Sequence, residues 1–147
     1  MQPSAKCDYA LLALYALAEH TDPSPLKAGE IAHRHNIPIK FLEAILNQLK
    51  GGGYVISRRG AEGGYHLARP AADISLGNII RLIDGPDATG RPKSSLSSRS
   101  SRLEPSPFAG FWGRIGESIA RLTDQTTLAD IVKEQAQSES YSLDWVI

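Results

Sequence analysis

The 147-residue chain has a single cysteine, Cys7, which excludes an internal disulfide framework and any Cys-x-x-Cys metal or redox motif. It has no apolar run of the roughly 18 residues that a membrane helix needs, so no membrane association is expected. Its opening, Met1-Gln2-Pro3-Ser4, leads into the apolar stretch Ala10–Ala18 without a small-residue cleavage pattern. No export signal is expected there, and the cytoplasm is the expected location. It also lacks an excess of either charge: sixteen basic and sixteen acidic residues cancel, which argues against non-specific polyanion binding. The four histidines form no metal pattern, since His33 and His35 stand two apart on a helix and point to different faces. The chain has no nucleophile–base set, and Gly51-Gly52-Gly53 follows a helix and precedes a strand, the reverse of a dinucleotide site. Neither an enzyme nor a metal site is expected.

The charges that are present are unevenly placed. From Lys27 to Arg69 there are seven basic residues (Lys27, Arg34, Lys40, Lys50, Arg58, Arg59, Arg69) against Glu30, Glu43 and Glu62. From Phe111 onward there are three basic residues against six acidic ones. A basic module beside an acidic half is the charge map of a double-stranded DNA reader with its own regulatory part.

Apolar residues recur at Leu11, Leu14, Tyr15 and Ala18, which predicts a first helix from about Ser4 to Glu19. Thr21-Asp22-Pro23-Ser24-Pro25 ends it. A short helix follows, with Glu30 in its first turn and Leu26 placed to staple against Ile31. Asn36-Ile37-Pro38 breaks that helix and opens a third, which buries Phe41, Leu42, Ile45, Leu46 and Leu49 and stops at the glycine triplet. Tyr54–Ser57 and Gly64–Leu67 read as short strands joined by a glycine-bearing tip. Another helix fits Leu76–Asp84. The predicted fold is mainly α with a small β-hairpin, a winged helix-turn-helix.

Its candidate DNA contacts are Pro38, Lys40, Glu43 and Asn47 on the third helix and Arg58, Arg59, Gly60 and Tyr65 in the hairpin. In a helix-turn-helix the start of the second helix meets base edges in the major groove. Glu43 suits a cytosine amino group, and Lys40 a guanine or a phosphate. Paired arginines in a hairpin suit the narrow, negative minor groove. Solvated polar faces would look the same from periodicity alone.

The segment 85–107 holds seven serines and four prolines in 23 residues and almost nothing apolar, so a flexible loop is expected. Beyond it Phe108, Phe111, Trp112, Ile115, Ile119 and Leu122 form a strict apolar stripe. On so short a chain that stripe would expose a large patch unless a second subunit covered it, so homodimerisation is expected. Thr127 and Asp130 cap a short last helix, to about Gln135. The expected organisation is a DNA-binding domain over 1–84, a flexible loop over 85–107, the dimerisation and short C-terminal helices over 108–137, and a flexible tail over 138–147.

Asp8-Tyr9-Ala10-Leu11, Phe41-Leu42-Glu43 and the wing Arg59-Gly60-Ala61-Glu62-Gly63-Gly64-Tyr65 resemble the Rrf-two family of winged helix-turn-helix regulators. The resemblance implies a dimer joined by the long helix and DNA reading by Glu43 and Arg59. Cluster-binding members carry three cysteines in the loop corresponding to 85–107; this loop has neither cysteine nor histidine, so no cofactor is expected. Asp8 matches a carboxylate ligand of the nitric-oxide branch, but with Cys7 beside it makes a poor cluster site. In character the chain is nearest to the cysteine-metabolism branch, which also lacks loop cysteines.

Two features stay open. Cys7 is either a small buried hydrophobe or a redox switch. The ending Asp144-Trp145-Val146-Ile147 resembles the tail of serine acetyltransferases, whose terminal isoleucine enters cysteine synthase. That likeness implies cysteine synthase as a partner; the alternative is a tail folded onto the chain's own helices. The expected function is a DNA-binding repressor tied to sulfur status. Its rivals are an iron–sulfur or thiol sensor and a DNA-independent adaptor of cysteine synthase.

Overall fold

The computed structural model describes residues 3–90 and 106–144. Helix α1 (Ala5–Glu19) starts where the Ser4 hydroxyl accepts the Cys7 amide at 3.0 Å. Its Ala10, Ala13, Leu14, Ala16 and Leu17 are all buried, so it is apolar on several sides and runs through the middle of the molecule. The helices and hairpin then pack around it. Helix α2 (Ala28–His35) opens with Glu30 accepting the Lys27 amide at 3.1 Å, and Leu26 and Ile31 are buried as the staple predicts. Asn36 closes α2 in the left-handed region, φ 52°, and Pro38 is the N-cap of α3 (Ile39–Gly51). Leu42, Ile45, Leu46 and Leu49 of α3 are fully buried. Each such side chain contributes about 1.5–3 kcal/mol relative to exposure.

Strands β1 (Val55–Arg58) and β2 (Gly64–Leu67) pair antiparallel, Ser57 opposite Tyr65 and Arg58 opposite Gly64. A 3-10 turn at Ala71–Asp73 leads to α4 (Leu76–Asp84), where Ser75 caps the Asn78 amide. Helices α5 (Ala109–Gln125) and α6 (Leu128–Asp144) follow. Arg81 of α4 clasps α5 by an ion pair to Asp124 at 2.6 Å and also donates to Thr89 at 3.0 Å.

Four expectations need correction. Phe41 is not buried: it stays 40% exposed and meets Tyr9 edge-on, because it lies at the margin of the apolar face of α3. The loop expected over 85–107 begins as structure, since Thr89 is buried under Arg81 and Gly90 lies against Gly116 of α5. The last helix is not short: α6 continues to Asp144, through most of the segment 138–147 expected to be a flexible tail. Nothing from Leu128 to Asp144 is proline or glycine, and Gln135 bonds Glu139 one turn on at 3.3 Å. Nor does the DNA-binding domain end at 84. Leu128 joins its core, and the Leu128 amide donates to Ile74 at 2.9 Å while Leu76 donates to Thr126 at 2.9 Å. The Thr127–Asp130 capping box is formed in both directions, at 2.8 and 3.2 Å.

Candidate nucleic-acid interface

The turn Asn36–Pro38 sets α3 across α2 so that its apolar side faces α1 and its other side faces solvent. Pro38, Lys40, Glu43 and Asn47 are all exposed on that outer side, with Ala44 between them. Lys50, one turn further, donates to Ser57 of β1 at 2.7 Å and so ties the helix to the wing. Sequence reasoning left Lys50 out of the contact set; its position opposite the first strand was the signal.

The wing tip is tight. The Gly63 amide donates to the Gly60 carbonyl at 2.9 Å, and Gly60 has φ 107°, which side-chain-bearing residues rarely adopt. At the base, a side chain on Gly64 would place its Cβ 2.6 Å from the Leu26 carbonyl, so only glycine lets the strand approach the segment before α2. There Tyr65 exchanges two backbone hydrogen bonds with Leu26, at 3.0 and 2.8 Å. Tyr65 is therefore half-buried and packs on the core, which makes it an anchor of the wing in this structure. Arg58 and Arg59 are exposed, and among the described residues neither they nor Lys40 have an ion-pair partner. Arg69 is engaged differently: it stacks over Tyr54, 4.7 Å from the ring centre, and donates to the Gly53 carbonyl at 3.3 Å. The result is one surface carrying a solvent-facing helix and two free guanidinium groups. Such a surface has the parts for phosphate attraction and base-edge contact.

The remaining candidates lie elsewhere. Phe108, Phe111, Trp112, Ile115 and Leu122 of the α5 stripe are exposed by 37–68%, and Ile119 is half-buried. Cys7 is fully buried, and its thiol is pushed up to about 11 by burial first, then by the nearby carboxylates of Asp84 and Asp8. A redox switch needs the opposite, an accessible thiol with a lowered pKa. Asp144 ends α6, and Trp145, Val146 and Ile147 lie outside the described residues.

The chain is similar to known transcription regulators over nearly its whole length. The family described as "Rrf2: Iron-dependent Transcriptional regulator" matches residues 3–134. A putative HTH-type transcriptional regulator of Mycobacterium tuberculosis is 36% identical over 89% of this chain and 81% of its own. The HTH-type transcriptional regulator CymR of Bacillus subtilis is 32% identical over 96% and 97%. Among solved structures, CymR, titled the global cysteine regulator of B. subtilis, superposes with a TM-score of 0.76 at 30% identity, covering 91% of this chain and 98% of that one. The IscR structure from T. potens gives 0.75 at 32% identity, covering 94% and 90%.

The winged helix-turn-helix architecture is shared with these proteins, which are regulators and not enzymes. The word iron-dependent raises the question of donors. Here the one thiol of the chain is buried and held protonated, and among the described residues no group of three or more His, Cys, Asp or Glu is placed to hold a metal. A thiolate-ligated cluster does not fit this donor set. The chain belongs to the Rrf2 family and is a DNA-binding transcription regulator.

Proposed function

We propose that the chain is a homodimeric repressor that reads operator DNA with α3 and the wing, and that its output follows sulfur status through cysteine synthase. The observation that carries the DNA half is the free pair Arg58 and Arg59 beside the exposed Lys40, Glu43 and Asn47. Arg58 and Arg59 supply charge to the phosphates and the minor groove, while Glu43 discriminates bases. The homodimer reading is supported by the α5 stripe, whose Phe108, Phe111, Trp112, Ile115 and Leu122 stay exposed among the described residues. The sulfur link is supported by likeness to CymR along nearly the full length of both chains and by the residues Asp144-Trp145-Val146-Ile147. With α6 running to Asp144, the residues offered to cysteine synthase narrow to Trp145, Val146 and Ile147.

Two measurements test this reading. Mobility shift on the chain's own upstream DNA is expected to show binding that Arg59→Ala weakens on all A·T-rich operator variants and that Glu43→Ala relaxes at one base per half-site. Calorimetry with a peptide ending in Asp144-Trp145-Val146-Ile147 is expected to show micromolar binding to cysteine synthase from the same organism. No shift by the unmodified protein removes the operator reading. No heat at near-millimolar peptide removes the cysteine synthase partner and leaves the operator reading standing.

A further inference from the structure

Helix α3 meets solvent along two adjacent rows. Ile39, Glu43 and Asn47 recur at i, i+4 and i+8, with Lys40 and Ala44 beside them at i and i+4, and all five are exposed. Lys40, Glu43 and Asn47 are polar and Ala44 is small, as a solvent-facing strip allows. Ile39 departs from that pattern: it is a large aliphatic side chain left 43% exposed at the first residue of the helix.

The packing of the chain does not account for it. Ile39 belongs neither to the buried core cluster nor to the apolar residues packed against it. Phe41, the other exposed large apolar side chain of α3, is engaged with the Tyr9 ring at 5.7 Å between centres. Helix propensity does not favour Ile39 either, because a β-branched side chain loses rotamer freedom in a helix. A lone exposed isoleucine is ordinary on a protein surface. What distinguishes this one is its place. In a helix-turn-helix the first residues of the second helix meet base edges in the major groove. Just ahead of it, Pro38 has no amide hydrogen to offer a base or a phosphate.

The base edges in that groove carry one methyl group, at C5 of thymine. Polar side chains make no hydrogen bond to it, whereas an aliphatic one excludes water from it. Ile39 and Glu43 stand one helical turn apart, which puts their Cβ atoms about 5–6 Å from each other. Successive bases rise by about 3.4 Å, so the two side chains fall within about two base pairs of one another.

We propose that Ile39 is a specificity-determining residue that reads the C5 methyl of a thymine within two base pairs of the cytosine read by Glu43. This rests on the operator reading and names a base that it leaves open. Helix α3 then carries a composite preference, an amino group at one step and a methyl at a neighbouring one. The methyl contact releases no counterions, so its contribution persists in salt that weakens the arginine contacts.

The test uses the full chain and the stretch of its own upstream DNA that it protects in footprinting. Each thymine there is replaced in turn by deoxyuridine, which keeps the O4 acceptor and lacks only the methyl. Fluorescence anisotropy is expected to show one position per half-site where the unmodified protein loses about fourfold in affinity, the worth of one buried methyl group. That loss should be the same at low and high salt. Its position should lie within two base pairs of the one at which Glu43→Ala relaxes base preference. Ile39→Ala is expected to keep its melting temperature and to bind the thymine and deoxyuridine operators equally. Should Ile39→Ala bind too weakly to titrate, Ile39→Val decides: a thymine preference below that of the unmodified protein supports the contact, and an equal one overturns it. Indifference of the unmodified protein to deoxyuridine at every position, or a thymine preference that Ile39→Ala retains, overturns the assignment and leaves the operator reading standing. No binding of the upstream DNA by the unmodified protein overturns both.

Discussion

Helices α3 and α5 are both amphipathic, yet they meet opposite fates. Leu42, Ile45, Leu46 and Leu49 of α3 are sealed inside the chain, whereas Phe108, Phe111, Trp112 and Leu122 of α5 stand 47–68% exposed. The polar side of α3 carries the exposed Lys40, Glu43 and Asn47, while α5 packs on α4 and its buried Gly116 lies against Gly90. An apolar stripe states that a surface will be covered, but not by which molecule. In α3 the cover is the domain core and the polar face is left to solvent. In α5 the apolar face itself is the one left exposed.

The strongest test of that contrast is a matched pair of charges. Leu46→Asp puts a carboxylate where no water reaches, and loss of helical circular dichroism at room temperature is expected. Ile115→Asp lies on a side chain already 37% exposed, so the chain is expected to keep its helical signal while light scattering falls to the mass of one chain. A folded Leu46→Asp protein, or an unfolded Ile115→Asp one, would reverse the assignment of the two faces.

A smaller effect is expected on the working side of α3 and the wing. The double substitution Arg58→Ala with Arg59→Ala should leave the melting temperature unchanged, since both side chains are exposed. Fluorescence anisotropy with operator DNA should show affinity falling about 10- to 100-fold and the slope of log affinity against log salt shrinking by about 2. An unchanged salt slope would place these guanidinium groups away from phosphates.

Cys7 probes the covered half by pH. Burial and the nearby carboxylates of Asp84 and Asp8 push its thiol up to about 11, from the 9.0 of an ordinary cysteine. The neutral thiol is favoured in the folded state, so its contribution is fully present below pH 9 and lost as pH rises toward 11. That contribution is on the order of 3 kcal/mol. Urea unfolding between pH 8 and 11 should fall more steeply for the unmodified chain than for Cys7→Ala. Matching pH profiles would mean that the thiol is not desolvated.

The smallest effect expected is at the junction of the two halves. Thr127→Val removes the hydroxyl that accepts the Asp130 amide and should cost about 1 kcal/mol in thermal unfolding, without changing mass or operator affinity. An operator defect in that variant would show that the start of α6 communicates with α3.

Local chemistry made much of the fold legible. The Glu30 and Thr127 caps, the helix start at Ser4, the Asn36–Pro38 break and the paired strands depend on neighbours within a few residues, and the helix and strand bounds before residue 85 follow them closely. The candidate interface was legible for the same reason, because a helix face and a hairpin tip are short-range patterns. Phe41 was misread because periodicity counts a marginal position as buried, and only packing showed its edge meeting Tyr9 in the open. The length of α6 was misread because a polar segment without helix breakers is compatible with helix or coil, and its packing on α1 favours helix. Thus the sequence by itself determined the elements before residue 85, the paired arginines of the wing and the existence of the apolar stripe. Only the tertiary structure decided that Tyr65 anchors the wing, that Cys7 is sealed beside Asp84, and that a groove opens between α1 and α6. Those depend on residues tens of positions apart meeting in space, a relation that no local pattern encodes.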